Sequence, residues 1–535
     1  MSNHTANRQP FPLFTAPVQS LIHLDRDSDE PLYRQISREV QDAIASGELA
    51  EGTRLPTERA LARELGVNRT TVMNAYNQLA SEGLIEGHVG RGTIVKRSRS
   101  HLYNRDHDLD DEDFEQESPS WLLGLAAGEE IALGADARVL SELTTIGDHE
   151  EVISFASGSP SPDMLPGELV RNIVTQDLTG AQQSALGYCP VEGLHSLRRG
   201  ITAHMRQRDV IVDPHNILIL SGSTQGIGLL ARFLLNPGDE VVVETPTYLG
   251  AVQVFRALGA RVIGLPIDRD GMRVDLLEAI LARRTPRFIY VQPTFQNPTG
   301  AVMSMERRRR LLALARRYQI PIVEDDPYGE LYFGDKAPQP LKALDTSDHV
   351  LYLSTFSKSL APGLRVAWLA APEQMIERLS LHKQVFDLNT NAIGQWIAAE
   401  IIRRGALDEH LSRVRYQYKQ KRDIMLRAIH TYWPQEIRVN TPGGGFHLWC
   451  RLPTTIGGRT LLREAAQQHV AFVAGEPFHV DGGGHHAIRV SFSSPLASNI
   501  EPGIQRIGAV MHEMLAKRAQ RDERDAIPID RLPVM

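Results

Sequence analysis

At 535 residues the chain is too long for one ordinary domain, and 42% hydrophobic with 23% charged residues is the balance of globular material with ample core. A formal net charge of −7 excludes a uniformly basic nucleic-acid binder, so any such contact must be local. Two cysteines, Cys189 and Cys450, exclude a disulfide framework and fit a reducing cytoplasm. No stretch reads as a signal peptide or as an apolar run long enough to cross a membrane.

The first module runs from Asp25 to Arg97. Leu32, Ile36, Val40, Ala43 and Ile44 fall on one face of a helix that Gly47 ends. Thr57 is placed to cap a second helix with the apolar stripe Leu61, Ala62 and Leu65. Gly66-Val67-Asn68 turns the chain into a third helix, Arg69 to Glu82, whose inward positions are Val72, Ala75, Tyr76 and Leu79. Two helices across a short glycine turn make a helix-turn-helix. Asn68, Arg69, Thr70 and Thr71 then stand at the helix start, where base edges and phosphates are met. Leu84-Ile85-Glu86 and Thr93-Ile94-Val95 flank Gly87-His88-Val89-Gly90-Arg91-Gly92, a hairpin with a cation at its tip, which reads as a wing. A plain helical packing module is the alternative. Ten Lys/Arg face twelve Asp/Glu over 25–97, but five face three over 63–97, so basic groups gather on the third helix and wing. The ordered string from Leu55 to Val95 resembles the winged helix-turn-helix of GntR-type bacterial regulators. That resemblance implies DNA as a partner, with Arg59, Arg69, Thr70, Thr71, Gly90 and Arg91 as contacts and Asn68 beside them.

Residues 98–150 read as an acidic flexible linker, for Arg105 to Glu117 is nearly all Asp and Glu. Ser118 to Leu143 is more apolar, with Trp121, Leu122, Leu123 and Leu125, and is a candidate docking helix.

In the second module, 151–517, apolar runs alternate with helical patterns: Ile217–Leu220, Val241–Glu244, Val262–Leu265, Phe288–Gln292, Ile320–Glu324, Val350–Ser354 and Val366–Leu369. This is the pattern of an α/β fold with a mostly parallel sheet covered on both faces. Ligands bind such sheets outside the carboxyl ends of the strands. The polar candidates fall there: Ser221 to Gly226, Glu244 to Tyr248, Gln296 to Gly300, Glu324 to Tyr328, and the loop carrying Lys358. A lysine between two core strands, with hydroxyls before it and Arg365 seven residues on, suits a Schiff-base lysine whose cofactor carries a phosphate. An exposed Lys and Arg on a serine-rich loop is the plain alternative. Five such stretches at one sheet edge argue against it.

From about Ser154 to Ser494 the chain resembles the fold-type I aminotransferases that bind pyridoxal 5′-phosphate (PLP), near the branch with aminoadipate and kynurenine aminotransferases. The resemblance implies that fold, with a smaller α+β C-terminal subdomain. It assigns Asp325, rather than Asp326, to the pyridine nitrogen, Tyr328 and Asn297 to the phenolic oxygen, and Tyr248 to stacking on the ring. Ser223, Thr224, Thr355, Ser357 and Arg365 would hold the phosphate. Tyr188, in Gly187 to Gly193, matches a tyrosine that reaches the partner subunit's phosphate, which implies a homodimer. Arg489, in Ala487 to Ser493, matches the fork for a substrate α-carboxylate. Gly443 to Trp449 reads as a packing strand. His479, His485 and His486 read as part of a mobile loop rather than a metal site, and the tail 518–535 as frayed. A GntR-like head on an aminotransferase-like body is the architecture of MocR-type transcriptional regulators. The expected function is a PLP-dependent DNA-binding regulator that senses PLP, an amino acid or another amine. The alternative is a working aminotransferase, with Lys358 as its base, and an attached DNA-binding head.

Overall fold

A computed structural model describes residues 22, 24–26, 28, 30–45, 49, 53–81, 84–88, 92–95, 152–181 and 185–525. The chain divides into two compact units, Met1–Leu125 and Ala126–Met535. Gly90 and Arg91, the acidic run and the apolar segment after it lie outside the described residues.

The first unit holds three helices, α1 (Leu32–Ala45), α2 (Glu58–Leu65) and α3 (Arg69–Ser81), then a hairpin of β1 (Ile85–His88) and β2 (Gly92–Val95). Thr57 caps α2 by accepting from the Ala60 N–H, and Gly66 ends it at φ 64°, a left-handed turn that costs glycine nothing. That turn sets α3 across α2. Ile36, Val40, Leu61, Val72, Ala75 and Leu79 are buried together between the helices, as the apolar spacing requires.

The second unit is built on an eight-stranded sheet. Its strands are β4 (Ile217–Leu220), β5 (Glu240–Thr245), β6 (Arg261–Asp268), β7 (Gly271–Met272), β8 (Phe288–Val291), β9 (Ile322–Asp325), β10 (Val350–Thr355) and β11 (Ala367–Ala370). They lie in the order β4-β11-β10-β9-β8-β5-β6-β7. β10, β9, β8, β5 and β6 pair in parallel, while β11 runs antiparallel to both β10 and β4. Both faces are covered, and alternation shows it: Ile217 and Ile219 of β4 enter one core cluster, Leu218 and Leu220 the other.

Because β11 is antiparallel, its start lies at the edge where the parallel strands end. Ala367 pairs with both Leu220 and Thr355, which brings Arg365 to the carboxyl ends of β4 and β10. A second sheet, in the order β12-β13-β16-β15, joins β12 (Arg438–Val439), β13 (His447–Arg451), β15 (Val473–Ala474) and β16 (Ala487–Ser491). Between them in the chain, β14 (Val470–Ala471) pairs in parallel with β3 (Ile153–Ser154). The C-terminal helix runs from Ala497 to Asp525, so the backbone expected to fray after Lys517 continues as helix. No described helix is long and apolar enough to cross a membrane.

Candidate functional site

β9 and the residue after it carry three successive acids, and the alternation of side chains gives each a different task. Glu324 accepts the backbone N–H groups of Leu341 and Lys342, both at 2.8 Å. Asp326 accepts from the Arg208 guanidinium at 2.7 Å and from the Tyr352 hydroxyl at 3.0 Å. Asp325, between them, points to the other side. Its Oδ2 accepts from the Tyr290 hydroxyl at 2.6 Å and from Gln292 Nε2 at 2.7 Å, while its Oδ1 is buried with no partner. Burial pushes its pKa up to about 6, against the pull of those two donors and of Lys358.

Asp325 lines a cavity of about 760 Å³ together with Ser223, Tyr248, Asn297, Tyr328, Lys358 and Arg489. Lys358 lies not on an open loop, as the sequence suggests, but in a one-turn helix, Phe356–Ser359, capped by the Thr355 side chain. Its Nζ donates to the Gly158 carbonyl at 2.8 Å. Burial of the amine, then the charges of Arg489 and Arg365, lower its pKa to about 8, so a minor neutral fraction is present near neutral pH and grows as pH rises. A neutral buried amine is a nucleophile.

Arg489 comes from β16 of the second sheet and is buried. It donates to Asn297 Oδ1 at 2.9 Å and to the Ala156 carbonyl at 2.5 Å, its Nε has no partner, and no carboxylate pairs with it among the described residues. Burial lowers its pKa to about 10, although the Tyr328 and Tyr248 rings oppose the fall. A buried guanidinium of this kind wants an anion.

The proposed phosphate residues are only partly gathered. Ser223 starts the helix Ser223–Leu234 at the end of β4 and is on the cavity wall; Thr224, Thr355, Ser357 and Arg365 are not. Their disposition still converges. Gly222 precedes that helix at φ 155°, and a Cβ there would stand 2.5 Å from Arg365 Nη2, so only glycine lets the guanidinium reach the helix start. Thr355 accepts the Ser357 N–H at 3.0 Å, and Thr224 hydrogen-bonds Tyr248. Tyr188 is not brought to the cavity at all. It is 89% exposed, beside a separate hollow shared with Leu186 and Leu388.

Three residues of the site escaped sequence reasoning. Tyr290 and Gln292 stand within an apolar run read only as a strand. His447, on a strand read as packing, lines the cavity, and its Nε2 lies 3.2 Å from the Tyr328 hydroxyl. Burial first, then Arg489 and Lys358, hold it well below its ordinary pKa, and thus neutral. No group of three or more metal-ligating side chains occurs among the described residues; His479 pairs with Asp481 and His485 with Glu476.

In the head, Arg69 starts α3 and pairs with Glu58 of α2, its Nη2 2.9 Å from the carboxylate. Thr70 donates to the Asn68 side chain at 3.1 Å, and Arg59, Asn68, Arg69 and Thr70 are exposed.

Residues 150–507 match the family described as aminotransferase class I and II, and residues 32–95 match the bacterial regulatory proteins of the gntR family. The HTH-type transcriptional regulator YisV of Bacillus subtilis is 34% identical over 480 residues, covering 90% of this chain and 96% of that protein. Aromatic-amino-acid aminotransferase 1 of Thermococcus litoralis is 38% identical over 394 residues, 72% of this chain and 94% of the enzyme. Among solved structures, the alpha-aminoadipate aminotransferase LysN of Thermus thermophilus, complexed with N-(5'-phosphopyridoxyl)-L-leucine, superposes with a TM-score of 0.69. It is 35% identical and covers 74% of this chain and 99% of the enzyme.

Proposed function

The chain belongs to the aminotransferase class I and II family and carries a gntR-family head, and on that premise we propose a MocR-type regulator whose body holds PLP and reports an amino compound to a DNA-binding head. In this reading 25–97 is the head, 98–150 the linker, 151–517 the body and 518–535 the tail.

One observation carries the cofactor. Asp325 Oδ1, without a partner among the described residues, shares a cavity with the Lys358 amine and with Arg489, which no described carboxylate meets. A pyridine ring, an aldehyde and a phosphate answer that donor set. PLP, when bound, supplies an electron sink for chemistry at an amine-bearing carbon. Lys358 offers the amine that attaches it, and Asp325 keeps a proton on the ring nitrogen through a charge-assisted hydrogen bond. Asn297 uses its oxygen on Arg489, which leaves its Nδ2 to donate toward the phenolic oxygen with Tyr328. Tyr248 packs on the ring. Ser223, Thr224, Thr355, Ser357 and Arg365 take the phosphate at the open helix start. Arg489 holds the carboxylate of an amino-acid effector.

A homodimer is supported by surface chemistry. Leu381, Val385 and Leu388 form one exposed apolar stripe, with Phe386, Leu186 and Tyr188 also exposed. Tyr188 would complete the site of the partner subunit.

The deciding experiment is footprinting on the gene's own upstream region, with and without PLP and a panel of amino acids. A PLP-dependent change in the protected sequence is expected. Unchanged protection in every condition would refute sensing. Because Lys358 and Arg489 share the cavity, the same protein is also assayed with 2-oxo acids; turnover within the usual range of about 1–10³ s⁻¹ would favour an aminotransferase.

A further inference from the structure

β12 and β13 set Arg438 directly opposite Arg451. Like charges so placed repel. Neither guanidinium has an acceptor among the described residues, and both border a second cavity of about 520 Å³. Val302, Pro442 and Trp449 also line it. Asp268 borders it too, but Arg307 already holds that carboxylate through contacts of 2.6 and 2.8 Å. A free pair of guanidiniums beside an apolar wall selects an anion with an apolar body. We propose that this cavity binds a small organic acid, with its carboxylate between Arg438 and Arg451 and its apolar part along the Trp449 wall.

The position gives the site a use. Thr299 to Val302, on its wall, continue the loop that carries Asn297. Trp449 pairs with Arg489 across the sheet and meets Phe478 edge-on at 5.9 Å, and Arg489 lies over that same Phe478 ring at 5.0 Å. The second cavity therefore adjoins the loop that carries Asn297 and, through Trp449 and Phe478, the Arg489 that would grip an effector carboxylate. This coupling rests on the proposed effector site; binding in the second cavity does not.

The test uses phenylacetate, an aryl acid with no amine, titrated into the full-length protein and followed by ligand-observed NMR. Wild type and Arg489→Ala should both bind in the millimolar range, while Arg438→Ser/Arg451→Ser should bind at least about tenfold more weakly. The double variant without ligand should melt at or above the wild-type temperature, because repulsion is relieved. If that variant fails to fold, Arg451→Gln at the exposed position gives the same reading. No binding by wild type up to about 20 mM overturns the proposal. So does loss of binding in Arg489→Ala with retention in the double variant, which would place the acid in the first cavity. Failure of the PLP reading shows separately, as absence of cofactor label on Lys358.

Discussion

Asp325→Asn should make the cofactor-free protein more stable and its grip on PLP weaker. Asparagine can keep its oxygen where Oδ2 accepts from Tyr290 and Gln292, and place its amide where Oδ1 already has no partner. Both hydrogen bonds survive, and a buried charge is removed. The carboxyl is raised from 3.8 to about 6 in the fold, so the folded state holds its proton more tightly than the unfolded chain does. Stability is then full below 3.8, falls as pH rises between 3.8 and about 6, and stays reduced above, by about 3 kcal/mol. Asparagine lacks that loss. At pH 8 the variant should melt about 3–4 °C above the wild type, and near pH 4 the two should converge. Equilibrium binding of PLP at pH 8 should be weaker in the variant by tenfold or more, since a charge-assisted bond is replaced by a neutral one. A variant that is destabilised equally at both pH values, or that keeps wild-type affinity for PLP, refutes the assignment of Asp325.

Lys358→Ala should lose the pyridoxyl label that borohydride reduction fixes on the wild type, as peptide mapping will show, and with it most of the PLP-dependent change in DNA binding. Arg69→Ala should cost roughly 1–3 kcal/mol of affinity for operator DNA, measured by titration at several salt concentrations. Glu58→Ala should do the reverse, because an exposed pair worth at most about 1 kcal/mol no longer competes for Arg69. Arg489→Ala should keep the response to PLP and lose the response to amino acids with a free α-carboxylate, read by the same titration with and without effector.

The strands and their polar ends were legible because continuous Val/Ile runs bounded by Gly, Ser, Asn and Pro have few other meanings. Family likeness chose Asp325 over Asp326, and the end of β9 separates the two: Asp325 meets Tyr290 and Gln292, while Asp326, one residue on, meets Arg208 and Tyr352. Contacts between distant segments were hidden. Nothing local tells that Tyr290 aims its hydroxyl at Asp325, or that β13, packed as expected, turns His447 into the cavity. Lys358 follows β10 as its place in the sequence suggests, but the turn of helix following Thr355 is masked by the small residues around it. Arg365 gained its meaning only from the antiparallel course of β11, which sequence periodicity cannot report. Arg69 reads as a free DNA contact in the sequence, and α2 gives it a carboxylate partner.

The strand order also governs birth. β4 has a single sheet neighbour, β11, and the ribosome delivers that neighbour only after β5 to β10 have emerged. At about 5–20 residues per second, the chain from Val95 to Ala370 takes roughly 15–55 s to make. The head is complete before that interval begins, whereas Arg489 arrives later still. Each new chain therefore has the residues of its head in place well before those of its cavity are complete.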